Sequence, residues 1–151
     1  MRIRDAVPQD VPEIARLERE CFTTPWTEEI IRSQLSGEGK LMLAAEEDGR
    51  FAGYMGLQYV LDEGYISNVC TAPEFRRRGV ASALIDETVT RAAALGLSFL
   101  SLEVRRSNEP AIRLYEARGF QKVGVRPGYY EKPAEDAIIM DLYLVRKEPQ
   151  C

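Results

Sequence analysis

The stretch from residue 65 to residue 104 constrains the fold most. A strand pattern over 65–71 is closed by Pro73, apolar positions 81, 84, 85, 89 and 92 mark one face of a helix that stops at Gly96, and a second strand pattern fills 98–104. A strand, a helix and a strand in that order form a crossover, so the second strand is expected parallel to the first. The turn ahead of the helix carries Arg76, Arg77 and Arg78, followed by Gly79. A helix start holds unpaired N–H groups and the positive end of the macrodipole, and helix stability alone would place Asp or Glu there. Cations at that end point to an arriving anion, and Gly79 lets the main chain approach it without a Cβ in the way. The Arg-x-x-Gly-x-Ala pattern of 76–81 therefore reads as a phosphate cradle, with a solvated basic turn as the plainer reading.

The flanking segments predict an antiparallel sheet that the crossover makes mixed. Residues 2–6 read as a short strand. Pro8, Asp10 and Pro12 open a helix through Ile14, Leu17 and Cys21, and Phe22-Thr-Thr-Pro-Trp26 breaks it. Thr27 caps a second helix that has Glu28 and Glu29 in its first turn and Gly37 near its end. The Phe/Pro/Trp loop between these helices is either a lid over a pocket or a packing plug. Residues 41–46 and 51–61 form strands joined at Asp48-Gly49, a hairpin signal.

In the strand over 98–104, Leu100, Leu102 and Val104 face one way, while Phe99, Ser101 and Glu103 face the other. A glutamate is uncommon in such a strand. Ser107 or Asn108 caps a short helix lined by Ala111, Ile112 and Tyr115 and ended by Gly119. Residues 120–125 and 137–145 are the last strands, with 126–136 as a long connection between them and a polar tail after Arg146 expected to fray. The expectation is one α+β domain over residues 1–151: a mixed, mostly antiparallel sheet of about seven strands flanked by about four helices.

The chain contains no histidine, which removes Ser-His-Asp and Cys-His catalysis and leaves acid–base work to Asp, Glu, Tyr, Lys or Cys. Cys21, Cys70 and Cys151 are odd in number, far apart and without a Cys-x-x-Cys pair. Neither a disulfide framework nor a structural zinc is expected, and the thiols suit a reducing cytoplasm. Cys70 reads as a small hydrophobe rather than a nucleophile. A net charge of −4 disfavours an extended nucleic-acid partner and suits a basic peptide better. The opening residues lack an apolar signal core, and no apolar run reaches the roughly 18 residues of a membrane span, so a cytoplasmic protein without membrane insertion is expected.

The Arg-x-x-Gly-x-Ala turn and the segment Asn108-Glu-Pro-Ala-Ile-Arg-Leu-Tyr-Glu-Ala-Arg-Gly-Phe120, set in this order of elements, resemble the GCN5-related N-acetyltransferase (GNAT) superfamily. The resemblance covers essentially the whole chain. It implies the GNAT fold and acetyl-CoA as co-substrate, with no metal. It also implies cofactor contacts at Val69, Cys70 and Thr71, at Arg76, Arg77, Arg78, Gly79, Val80, Ala81 and Ser82, and at Asn108, with Glu103 as general base and Tyr115 as general acid. One departure is Val69-Cys70-Thr71, where the superfamily often has an aliphatic-Ala-Val strand end; that strand acts mainly through its backbone.

Leu102-Glu-Val-Arg105, the Pro25-Trp26 loop, and Tyr129-Tyr130 followed by Glu135-Asp-Ala-Ile-Ile-Met140 are similar to the RimI-type branch, which acetylates the N-terminal alanine of a ribosomal small-subunit protein. This similarity implies a protein N-terminus as acceptor, with Trp26, Tyr129, Tyr130, Glu135 and Asp136 on the acceptor side. Archaeal and eukaryotic N-terminal acetyltransferases share much of the last segment, so it marks N-terminal amines better than it marks one substrate. An α-amine has a pKa of about 8 and a lysine about 10.4, so a neutral lysine costs roughly 3 kcal/mol more, and a weak carboxylate base suits the former. The alternatives are an acetyltransferase for a lysine or a small amine, and a silent acetyl-CoA-binding module in which Glu103 is a solvent-facing strand residue and Tyr115 a core aromatic.

Overall fold

A computed structural model describes residues 1–144. The expected strand end at Val145 and the tail after Arg146 lie outside the described residues. The strands are β1 (Arg2–Asp5), β2 (Lys40–Glu47), β3 (Arg50–Val60), β4 (Glu63–Thr71), β5 (Phe99–Arg105), β6 (Gln121–Tyr130) and β7 (Glu135–Tyr143). The helices are α1 (Val11–Cys21), α2 (Glu28–Gln34), α3 (Val80–Ala94) and α4 (Glu109–Ala117). One sheet runs in the order β1-β2-β3-β4-β5-β7-β6. Its β4–β5 pair is parallel, as the crossover requires, and β1–β2, β2–β3, β5–β7 and β6–β7 are antiparallel. Contacts cluster in two compact units: Met1–Gln58 with Ile66–Thr88, and Tyr59–Tyr65 with the chain from Val89 onward.

In the first unit, Ile14, Leu17, Ile31, Leu43, Met55, Leu57, Leu84 and Ile85 are fully buried. Asp48 and Gly49 both take positive φ, which makes the tight turn between β2 and β3. Thr27 caps α2 by accepting from the Ile30 N–H at 3.2 Å. The buried stripe of α1 also holds Glu18, only 1% exposed. Its carboxylate accepts from the Trp26 N–H at 2.7 Å, from Asn68 Nδ2 at 2.6 Å and from the Tyr54 hydroxyl. A buried carboxylate is tolerated only when so satisfied, and these bonds tie α1, the loop after it, β3 and β4 together. Burial, and then the adjacent Glu18 charge, hold the Tyr54 hydroxyl well above its ordinary pKa.

The first unit also corrects the cysteine expectation. Cys21 and Cys70 are joined, S–S 2.09 Å, with Cα atoms 6.9 Å apart. The pair lies 49 residues apart in sequence, and spacing rules detect only local cysteine patterns. The turn of α1 into its loop and the exit of β4 bring the two side chains together.

In the second unit, β5 alternates as expected, with Leu100, Leu102 and Val104 buried alongside Ile112, Phe120, Ile138 and Met140. Asn108, not Ser107, caps α4, its Oδ1 accepting from the Ala111 N–H at 3.3 Å. The expected connection over 126–136 is mostly strand: β6 continues to Tyr130 and β7 begins at Glu135. The β6–β7 register shifts between Arg126 and Tyr130, where Pro127 and Gly128 (φ 61°) are absorbed. Proline and glycine read as breakers in sequence, but an edge strand with a bulge accommodates both. Among the described residues, no helix is long and apolar enough to cross a membrane.

Replacing Tyr54 by Phe removes one of the three donors to the Glu18 carboxylate. Urea unfolding is expected to show a loss of about 2 kcal/mol, the cost of a buried polar group left short of a partner; an unchanged midpoint would mean the carboxylate does not depend on that hydroxyl.

Candidate active site

In the first unit, β4 ends at Thr71 and a short turn over Pro73–Phe75 leads into the arginine run. Arg77 (φ 65°) and Gly79 (φ 79°) are both left-handed, and α3 starts at Val80 with no acid in its first turn. The N–H groups of Val80, Ala81 and Ser82 precede the first helical bond, from the Ala83 N–H to the Gly79 carbonyl at 3.0 Å. Arg76, Arg77 and Arg78 are exposed. Among the described residues none of them pairs with a carboxylate; Arg78 lies over the Phe75 ring at 5.5 Å, and Glu74 is held by Arg50 at 3.7 Å. The ring and the left-handed turn fix the backbone while the charges stay uncompensated. This donor set fits an anionic pyrophosphate.

Behind the turn, the main chain of β4 is held tightly. A Cβ built on Gly53 of β3 would stand 2.6 Å from the Cys70 carbonyl oxygen and 3.3 Å from Thr71 Cα. Only glycine lets β3 approach the Val69–Thr71 backbone this closely. Cys70 contributes its backbone to this strand while its side chain is bonded to Cys21. Trp26 is half-buried, anchored through its N–H to Glu18, and its ring approaches Gly56 of β3.

In the second unit, Glu103 projects from β5 with its side chain 30% exposed, and Arg126 of β6 forms an ion pair with it, Nε 2.5 Å from Oε2. Tyr115 lies on the buried face of α4 against Phe120, ring centroids 5.7 Å apart. Burial, reinforced by the neighbouring Tyr130, pushes its hydroxyl up to about 12, so it carries its proton throughout the neutral range. Tyr130 is likewise pushed up to about 12, by burial first and then by Tyr129 and Glu103. Tyr130 is thus in electrostatic reach of both Tyr115 and Glu103.

The tyrosine pair packs edge to face at 5.0 Å, and each ring carries an arginine: Arg126 at 6.0 Å from Tyr129 and Arg105 at 4.4 Å from Tyr130. Glu135 and Asp136 are engaged structurally. Glu135 accepts from the Ser107 N–H at 2.5 Å and from Arg105 at 3.2 Å, and these bonds hold its carboxyl below the usual range. Asp136 accepts from the Gly128 N–H at 2.9 Å and faces Arg106 at 3.6 Å. Asn108 uses its carbonyl as a cap, leaving its amide N–H groups to donate. A surface cavity of about 410 Å³ beside α4, lined by Arg106, Arg113, Lys122 and Glu109 among others, includes neither Glu103 nor Tyr115.

Sequence reasoning missed Arg105 and Arg126 as members of this constellation. Their signal was the strand register: both pair with Ala137, one from each side of β7, which places them on the face that carries Glu103. Reading 126–136 as a connection concealed it.

The sequence pattern of the acetyltransferase (GNAT) family matches residues 11–120. The ribosomal protein bS18-alanine N-acetyltransferase of Escherichia coli K12 is 36% identical over 135 residues, 88% of this chain and 90% of its own. The enzyme of that description from Salmonella typhimurium is 37% identical over 135 residues, with the same coverage. The crystal structure of the ribosomal-protein-S18-alanine N-acetyltransferase from Escherichia coli superposes with a TM-score of 0.90 at 32% identity, covering 99% of this chain and 97% of that one.

Gly53→Ala drives a methyl into the β4 backbone and is expected to lower stability by about 1–3 kcal/mol, the usual range for overpacking. Calorimetric titration should also show weakened acetyl-CoA binding. Wild-type binding in a folded variant would mean that the β4 main chain does not position the coenzyme.

Proposed function

The chain belongs to the acetyltransferase (GNAT) family and is an acetyl-CoA-dependent N-acetyltransferase; from that premise we propose that its acceptor is a protein N-terminus, specifically the N-terminal alanine of ribosomal protein S18. The observation that carries this reading is Glu103, a half-exposed strand carboxylate that already holds a cation. A group so placed is suited to receive an ammonium and take its proton. Relatives that act on that alanine, matching nearly nine-tenths of the chain, supply the substrate.

Acetyl-CoA brings the thioester that is cleaved. In this reading the amides at 79–82, with Arg76, Arg77 and Arg78, hold its pyrophosphate, Asn108 donates to it, and a main-chain N–H near Val69–Thr71 stabilises the developing oxyanion. Glu103 accepts a proton from the acceptor ammonium, directly or through one water, so that a neutral amine attacks the carbonyl carbon. The new C–N bond forms as the C–S bond breaks, Tyr115 gives its proton to the departing thiolate, and the proton that the acylated nitrogen then sheds restores the Tyr115 phenol. Burial suits Tyr115 to this task because it keeps the hydroxyl protonated below about 12. Trp26, Tyr129 and Tyr130 line the acceptor's path, while Glu135 and Asp136 support it by fixing the β6–β7 hairpin. The whole chain acts as one acetyltransferase domain in the cytoplasm.

Thiol release from acetyl-CoA, measured with an alanine-started S18 peptide and with an N-terminally blocked copy, tests the reading. Turnover is expected on the free peptide alone, reduced by about a hundredfold or more in Glu103→Gln and in Tyr115→Phe, the range for loss of a general acid or base. Turnover through the lysines of the blocked peptide would favour a lysine acetyltransferase, and acetyl-CoA binding without turnover would favour a silent module. Because the raised Tyr115 pKa leaves it protonated until about 12, the wild-type kcat profile should show no alkaline loss from this group between pH 7 and 10. Arg126→Gln removes the cation that competes for Glu103. The acceptor KM should fall about two- to fivefold, the value of a partly exposed ion pair, and a rise instead would make Arg126 an acceptor contact.

A further inference from the structure

We propose that the open sheet face running from Glu103 toward Phe99 docks a basic segment of the acceptor protein, a few residues beyond its N-terminus. The inference rests on the assignment of Glu103 as the base. Strand register sets the face: Glu63 pairs with Phe99 and Tyr65 with Ser101 across β4–β5, while Phe99 pairs with Tyr143 and Ser101 with Asp141 across β5–β7. These residues therefore share the face of Glu103. The opposite face carries Leu100, Leu102, Val104 and Met140, all buried. On the open face the rings of Tyr65, Phe99 and Tyr143 form a continuous edge-to-face strip across three strands, with centroids 6.1 and 6.0 Å apart. Tyr65 is 44% exposed and Tyr143 68%. An aromatic strip left in water to this extent marks an interaction surface.

Charge identifies the occupant. Near the candidate base the carboxylates already hold cations: Glu103 with Arg126, Glu135 with Arg105, and Asp136 with Arg106. Around the aromatic strip they do not. Among the described residues, Glu63 accepts only from the Tyr65 hydroxyl, Asp62 accepts from Ser98 Oγ at 2.6 Å, and Asp141 Oδ1 is buried with no hydrogen-bond partner. Among the described residues no Lys or Arg pairs with any of the three. Exposed ring faces bordered by uncompensated carboxylates suit guanidinium or ammonium groups, which stack on the first and hydrogen-bond the second. Phe99 lies four residues from Glu103 along β5, about 13 Å at strand rise. An extended acceptor advancing about 3.3 Å per residue would bring roughly its fourth to sixth residues over the strip.

The test uses the full chain and two alanine-started peptides of equal length, one with Arg or Lys at positions four to six and one with Gln there. Wild type is expected to favour the basic peptide through KM, by about tenfold at low salt, with the preference shrinking as salt rises. The double variant Glu63→Gln/Asp141→Asn, and separately the exposed Tyr143→Ala, should lose that preference while the acetyl-CoA KM, kcat and the KM for the neutral peptide stay unchanged. Equal KM values for both peptides in wild type would overturn the docking face and leave the N-terminal reading standing. So would variants that keep the preference, or that weaken both peptides alike. Variants that alter sedimentation but not KM would assign the strip to a second copy of the chain and overturn the proposal. Absence of turnover on either peptide would remove the acceptor reading itself, and the docking face with it.

Discussion

The first unit depends on one buried charge. Glu18 sits on the apolar face of α1, where an unsatisfied carboxylate would cost several kcal/mol, and it is held by donors from the following loop, β3 and β4. Those donors come from three separate parts of the chain, so the carboxylate is satisfied only when all are in place. The loop bearing Trp26 is consequently fixed by a main-chain bond rather than by its own sequence. Near the end of β4, the glycine at position 53 lets the neighbouring strand approach so closely that the backbone of Cys70 and Thr71 has little room to move.

Charge placement sets the start of α3 apart from those of the other helices. α1, α2 and α4 each carry an acid in the first turn, as the helix dipole favours, at Glu13, Glu28 and Glu29, and Glu109. α3 carries none and is preceded by three exposed arginines. That inversion is unfavourable for the helix alone and intelligible for a cradle that receives a polyphosphate. The second unit shows the same contrast on a sheet face: acids compensated by arginines around Glu103 and, among the described residues, acids without cations around the aromatic strip.

Much of this was legible in the sequence because the signals were local. Period-two alternation placed Glu103 on the face opposite Leu102 and Val104, Thr27 announced the start of α2, Asp48-Gly49 announced its hairpin, and the order of elements required a parallel β4–β5 pair. The misreadings were of a different kind. Pro127 and Gly128 looked like a break because the bulge that absorbs them exists only against β7. Cys21 and Cys70 looked independent because nothing local joins positions 49 apart. Nor could the sequence show the partners of Glu135 and Asp136, since Ser107, Arg105, Gly128 and Arg106 become their neighbours only after the hairpin has closed on the start of α4.

The sequence by itself determined the elements, their order, the cationic turn before α3 and the identity of a strand glutamate and a helix tyrosine in a chain without histidine. Each of these follows from periodicity, backbone preference or side-chain chemistry within a short window. Only the tertiary structure decided which carboxylates are occupied and which are open, that Glu103 meets Arg126, that Tyr115 is buried deeply enough to keep its proton, and that the Glu18 carboxylate holds the Trp26 loop. Those properties depend on desolvation and on the distance between groups far apart in sequence, and neither quantity exists until the chain has folded.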